Sequence, residues 1–212
     1  MLNFSEELQK ALLILKNTND KEQNMQGRLY AHFLQFESEG YRVEMETSIN
    51  DEHIKRILKS RMHDSSPQDF TKKDFRKIEI DLLVYKSDLT ELYAAELKWV
   101  YNRSCGWNVV DHLEDFKDDS VFCHQLIEKA GFTETCSLVV YDFFPDKQVK
   151  RFSPKNQETL AEKMAFLGGD YPARDHGQIQ NDEAGHLIDF EWKDFPDERD
   201  NRHYRYYMII NK

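Results

Sequence analysis

The stretch IEIDLLVYKSDLTELYAAELKWV, residues 78–100, constrains this chain more than any other. It consists of two apolar runs rich in β-branched and aromatic residues, the composition of buried strands. Four charged residues, Glu79, Asp81, Glu96 and Lys98, interrupt it. Whatever the chain folds into must place three carboxylates and an amine within or beside a sheet, and charges in an interior need partners or neutralisation.

Alternation alone predicts how the two runs pair. The connecting KSDLTE holds no glycine, so no strong primed-turn dipeptide marks the hairpin. A tight turn at Asp88-Leu89, or a four-residue loop from Ser87 to Thr90, gives one and the same register. Ile78 then faces Trp99, Ile80 faces Leu97, Leu82 faces Ala95 and Val84 faces Tyr93, whereas a one-residue slip would mix apolar and polar faces. On the opposite face Asp81 meets Glu96 and Glu79 meets Lys98. Directly opposed Cβ atoms lie roughly 4.5–5.5 Å apart, and like charges there destabilise a sheet. Two carboxylates so close raise each other's proton affinity. A divalent cation between them removes the conflict, because Mg²⁺ takes carboxylate oxygens while keeping waters and substrate phosphates as further ligands. The competing reading is a plain Glu79–Lys98 ion pair at a sheet rim with Asp81 and Glu96 in solvent. Against it, Leu82, Leu83, Val84, Tyr93, Ala94, Ala95 and Val100 make both faces apolar beyond the charged patch, as in interior strands.

Around this hairpin the sequence predicts helices over Phe4–Lys16 and about 20–39, the second stopped by Gly40, and a strand over YRVEMETSI. In that strand Val43 and Met45 alternate with Arg42, Glu44 and Glu46. Residues 51–77 read as a charged connector with little periodicity, carrying eight basic against five acidic residues, net three positive. After the hairpin come the polar loop NRSCGWN, a helix over about 109–130 ended by Gly131, and a buried strand CSLVVYDFF. A short helix near 156–166, a loop GGDYPARDHGQ and a terminal hairpin formed by HLIDFEWKDF and HYRYYMIIN complete the reading. The acidic residues 111, 114, 115, 118 and 119 of the long helix read as a solvated face.

Composition narrows the function classes. The 212 residues are 40% hydrophobic and 13% aromatic, too apolar for disorder. A net charge of -10 argues against a generic polyanion binder, though not against a local basic footprint. Three cysteines, Cys105, Cys123 and Cys136, have neither disulfide-framework nor zinc-ligand spacing, which favours a reducing, cytoplasmic setting. Ser104 has no triad pattern around it. Trp99, Tyr101 and Trp107 fit core or loop packing better than base stacking.

Asp81 in EIDLLV followed by Glu96 and Lys98 in AAELKW, within the order helix, strand, hairpin, helix, strand over about residues 20–144, resembles the PD-(D/E)XK nuclease superfamily. Ile80 stands where that pattern has a proline. The resemblance implies a restriction-endonuclease-like α/β fold: an αβββαβ core with a mixed sheet flanked by helices, here with a C-terminal β-hairpin extension and one domain over 1–212. It implies Mg²⁺- or Mn²⁺-dependent hydrolysis of phosphodiester bonds, with DNA as the expected substrate. Asp81, Glu96 and the backbone carbonyl of Leu97 would be metal ligands, and Lys98 would orient the attacking water or stabilise transition-state charge. Relatives often add a carboxylate or glutamine from the first core helix. Glu22 and Gln26, one turn apart, are the candidates here, with ordinary helix-surface residues an equal reading, and Glu46 is a more remote one. Lys72, Lys73, Arg76, Lys77 and Lys117 are the expected phosphate contacts. The alternative is a nuclease-fold protein that does not cleave and binds a partner protein or nucleic acid. No membrane association is expected, and the C-terminal hairpin is a candidate dimer surface.

Overall fold

In the computed structural model, the two runs of residues 78–100 form a hairpin with the expected register next to its turn, inside a sheet whose two faces are covered by helices. The structure describes residues 1–14, 22–62, 69–100, 107–143, 176–191, 193–194 and 203–212. Helices α1 (Phe4–Ile14) and α2 (Glu22–Phe33) come first, and a 3₁₀ segment (Leu34–Glu39) extends α2. Gly40 ends it in the left-handed region at φ +89°, a conformation that glycine adopts without steric cost. Strand β1 (Tyr41–Ser48), helix α3 (Glu52–Arg61), β2 (Glu79–Lys86), β3 (Leu92–Val100), α4 (Trp107–Ala130) and β4 (Glu134–Phe143) follow. The described C-terminal strands are β5 (His176–Gln180), β6 (Leu187–Glu191), β7 (Lys193–Asp194) and β8 (His203–Asn211). Among the described residues, no helix is long and apolar enough to cross a membrane.

Six strands form one mixed sheet in the order β1-β2-β3-β4-β8-β7. β2 runs antiparallel to both β1 and β3, and β3 and β4 run parallel. A parallel neighbour requires a crossover, which α4 supplies. The fold class is thus α/β, an open mixed sheet flanked by helices. One face carries α1 and α2 on Val43, Leu82, Val84, Tyr93, Ala95 and Leu97. The other carries α3 and α4 on Leu83, Leu92 and Ala94, with Phe75 and Phe122 in edge contact between them. Each fully buried side chain of this size contributes about 1.5–3 kcal/mol. Phe4 stacks on Tyr93 with centroids 5.3 Å apart and meets Phe33 at 5.1 Å, which seats α1 on the sheet.

Several expectations need correction. Residues 51–77 are not all irregular connector, since α3 occupies 52–61 and buries Ile54, Ile57 and Leu58. Those three stand at helical spacing, with Glu52 in the first turn and Lys59 and Arg61 in the last, as the helix dipole favours. Met45 is 39% exposed although its neighbour in alternation, Val43, is core. The terminal hairpin is only partly formed. β7 pairs with β8 at two positions, while β6 pairs with β5 in a separate two-stranded sheet that includes residues 176–178, read as loop. β8 also pairs with β4 along its whole length, so it is part of the main sheet rather than a free extension. The expected helix near 156–166 and the rest of that loop lie outside the described residues.

Candidate active site

The hairpin register is the predicted one at its closed end. Leu82 pairs with Ala95, Leu83 with Ala94, Val84 with Tyr93 and Tyr85 with Leu92. The turn is the four-residue version, closed by Lys86 N donating to the Glu91 carbonyl at 3.0 Å. Beyond Leu82 and Ala95 the two strands separate. Continuing the ladder would have Leu97 and Trp99 donate to the carbonyls of Ile80 and Ile78, but neither bond forms. Leu97 N instead donates to Asp81 Oδ2 at 2.7 Å, and Trp99 N to Glu22 Oε2 at 3.0 Å. Asp81 N donates to Glu96 Oε1 at 3.3 Å, and the Ile78 carbonyl accepts from Ile49 N at 2.9 Å.

Three carboxylates, Asp81, Glu96 and Glu22, therefore occupy the wedge where the ladder opens and hold its unpaired amides, as the rule that buried backbone donors find acceptors requires. The pleat also breaks at this point. Ile80 packs with Leu83 under α3 and α4, whereas Leu82 and Val84 pack on the opposite face. The expected apolar row through Ile78, Ile80, Leu97 and Trp99 is therefore not made; Ile78 itself is 36% exposed.

Glu46 marks the same break from the other side. The β1–β2 pairs Met45–Leu82 and Thr47–Ile80 place Glu46 level with Asp81, yet Glu46 sits at φ +48°. A non-glycine residue in the left-handed region carries backbone strain, which tends to collect at functional sites. Glu46 is exposed, and Asp81 lies between it and Glu96 in the strand order.

Toward α4, Glu96 is completely buried, and its Oε2 accepts a close contact from the Lys77 ammonium. The same ammonium lies 2.7 Å from Asp119 Oδ1. Asp119 is 2% exposed and projects from α4 into the site, which corrects its reading as part of a solvated face. One turn earlier on α4, Asp115 Oδ2 lies 3.6 Å from Lys98 Nζ. Burial, with the Asp81 charge beside it, pushes the proton affinity of Glu96 well up despite the opposing pull of Lys77. Burial raises Asp119 to about 6, partly offset by Lys77 and Lys98. Desolvation pulls Lys77 down, but Glu96, Asp119 and Asp81 together outweigh it and hold the amine firmly protonated.

The structure thus brings together Asp81, Glu96, Lys98 and Glu22, along with Lys77 and Asp119, which the sequence did not assign to this group. Leu97 takes part through its amide. Gln26 is 6% exposed on the buried side of α2. The basic rim is thinner than expected. Arg76 pairs with Asp118 at 2.8 Å, Arg61 donates to the backbone carbonyls of Gly131 and Leu89, and Lys55 pairs with Asp69 at 2.7 Å. Lys77 points inward to the carboxylates rather than outward to a phosphate. Lys72 and Lys73 are exposed, and Lys117 is half-buried.

The donors of this cluster are of the kind a hard cation takes: carboxylate oxygens in a buried setting, with more carboxyl groups than ammoniums. Asp119 Oδ2 is buried without a hydrogen-bond partner among the described residues, so one oxygen remains unsatisfied. As placed, no three His, Cys, Asp or Glu side chains among the described residues converge on a common ion position. The ammonium of Lys77 stands at the meeting point of Glu96 and Asp119. In kind, though not in placement, the oxygen donors suit Mg²⁺ or Mn²⁺, and an internal cation already stands among them. No family model, curated protein or solved structure matches this chain.

Proposed function

We propose that the chain is a metal-dependent nuclease of the PD-(D/E)XK type, with a restriction-endonuclease-like core, hydrolysing phosphodiester bonds in DNA. One observation carries the reading. The β2–β3 hairpin opens at the Asp81–Glu96 step, and Lys98 follows Glu96 by two residues on the same strand. Ordinary sheets keep their ladders, and this one opens where two carboxylates meet, each giving one oxygen to a backbone amide. The element order α2, β1, β2, β3, α4, β4 agrees with an αβββαβ core, α3 being an insertion between β1 and β2.

In this mechanism Asp81 and Glu96 would hold the metal, while Glu22 steadies the wedge through Trp99 N. Bound Mg²⁺ would supply Lewis acidity and water activation at neutral pH. Lys98, kept from solvent beside Asp115, offers a cation to the negative charge that develops on the attacked phosphate. Lys72 and Lys73 remain for the flanking backbone. With so few outward cations, DNA binding should be weak and fall steeply with salt.

The test is cleavage of supercoiled, linear duplex and single-stranded DNA with Mg²⁺, Mn²⁺ or EDTA. Wild type should cut only with metal, and Asp81→Ala and Lys98→Ala should be slower by about 10²–10³-fold, the usual cost of losing a transition-state donor. Equal cleavage by all three proteins would remove the site from the reaction.

A second reading rests on the Lys77 contacts: a nuclease fold whose metal position is filled by its own lysine, leaving a binding protein. Calorimetry with no Mn²⁺ signal, together with metal-independent DNA or protein binding, would favour it.

A further inference from the structure

We infer that Asp119 is a third carboxylate of the cation-binding group and that Lys77 is its internal competitor, closing the position until a divalent ion displaces the ammonium. The inference rests on the metal-dependent reading above. Neither residue belongs to the Asp81, Glu96 and Lys98 pattern that brings that reading to mind; α4 and the segment before β2 deliver them.

The charge balance is the first support. Two carboxylates, fully and 98% withdrawn from solvent, are met by one ammonium, with Asp81 adjacent. One ammonium balances only one ionised carboxylate, so the second must hold a proton or meet a further cation. The second support is independent of charge. Asp119 Oδ2 has no donor among the described residues, although its sister oxygen lies 2.7 Å from Lys77 Nζ. Buried acceptors without partners are rare and call for an explanation, for which an ion is one recognised answer. A divalent ion brings twice the charge and room for several oxygens.

The third support is that the ammonium can leave while its backbone stays. Lys77 lies outside the helices and strands, and its side chain is 29% exposed, in contrast to the buried carboxylates it touches. Its neighbours are clamped. Arg76 N donates to Gln125 Oε1 at 2.6 Å, Arg76 Nε donates to Asp118 at 2.9 Å, and the Ile78 carbonyl accepts from Ile49 N at 2.9 Å. The flexible four-carbon stem is therefore the moving part, and it can swing through its exposed side. There the ammonium would join Lys72 and Lys73 as a cation for the substrate backbone. Metal entry and substrate attraction would then be linked through one side chain.

Apparent metal affinity falls with the fraction of molecules whose site is open, so occupancy of the seat by Lys77 for 90–99% of the time costs about 10–100-fold. The experiment measures Mn²⁺ binding by electron paramagnetic resonance and calorimetry. It uses wild type, Lys77→Met, Asp119→Asn and the double variant, with folding checked by circular dichroism. Lys77→Met should bind Mn²⁺ about 10–100-fold more tightly than wild type, and adding Asp119→Asn should abolish the gain. A second measurement uses wild type alone, so a misfolded variant does not end the test. Amine acetylation of Lys77, followed by mass spectrometry, should be slow without metal and accelerate with Mg²⁺. Mn²⁺ binding by wild type without that acceleration overturns the inference and leaves the nuclease reading standing. A gain in Lys77→Met that survives Asp119→Asn does the same. Failure of every protein to bind Mn²⁺ at millimolar concentration overturns both.

Discussion

Glu91 and Glu96 lie five residues apart on one stretch of chain, both withdrawn from solvent, and their chemistry is opposite. Glu91 is 8% exposed and surrounded by donors. Tyr41 and Tyr93 hydroxyls donate to it at 2.6 Å each, Leu2 N at 3.2 Å and Lys86 Nζ at 3.3 Å. Burial alone would raise its proton affinity, but these bonds outweigh it and bring the group down to about 2. Glu96 has one ammonium, one long amide contact and two neighbouring carboxylates, and its proton affinity moves up. Burial is common to both, so the supply of donors decides the sign. Glu91 is an anchor that ties the start of the chain, β1 and β3 together. Glu96 is short of donors and is held against its charge.

The largest expected effect separates the two by deletion. Glu91→Ala leaves two tyrosine hydroxyls and an amide buried without their acceptor, and should cost about 3–5 kcal/mol in urea unfolding. Glu96→Gln at pH 7.5 without metal should cost far less or stabilise, because it removes a like-charge conflict and leaves Lys77 paired with Asp119. Equal losses would mean that Glu96 is as much an anchor as Glu91.

Acid and base titration sharpen the contrast. The folded value of Glu91 lies below its ordinary 4.5, so its stabilisation is complete above about 4.5 and is lost as pH falls toward 2. That loss should be on the order of 3 kcal/mol. Asp119 has the opposite sign. Raised from 3.8 to about 6, it favours the fold below 3.8, and that contribution disappears as pH rises through 6. In metal-free protein, Asp119→Asn should therefore gain stability relative to wild type between pH 4 and pH 7. A difference independent of pH would show that Asp119 does not titrate in this range.

The smallest effect concerns redundancy among donors. Tyr93→Phe removes one of four hydrogen bonds to Glu91 and should cost about 1 kcal/mol, with the other three still holding the carboxylate. A loss approaching that of Glu91→Ala would make Tyr93, rather than the set, the support of the anchor.

Much of the site was legible in advance because it is carried by local periodicity. Alternation set the register next to the turn, where the Leu82–Ala95 and Val84–Tyr93 pairs formed, but the opposed pairs Asp81–Glu96 and Glu79–Lys98 of the same register did not, because the ladder opens beyond Leu82. Gly40 and Gly131, both at positive φ, end their helices where the pattern placed those ends. Glu22 was among the candidates and reaches the wedge from α2. Helix α3 was missed although its signal was present. Ile54, Ile57 and Leu58 stand three and four residues apart, but the density of charge around them dominated the reading. Asp119 was assigned to solvent for a related reason. A helix with acidic residues on several sides does not reveal which of them will face a sheet until the crossover is packed.

Residue order by itself determined the two strands, their pairing next to the turn and the presence of three carboxylates and an amine along them, since those follow from a period of two and a turn a few residues long. Only the tertiary structure decided what the charges do. Lys77 meets Glu96 across 19 positions and Asp119 across 42, and Trp99 meets Glu22 across 77. Contacts at such separations depend on how α2 and α4 settle on opposite faces of the sheet. No local spacing encodes that, because it is set by core packing around Leu82 on one side and Leu83 on the other.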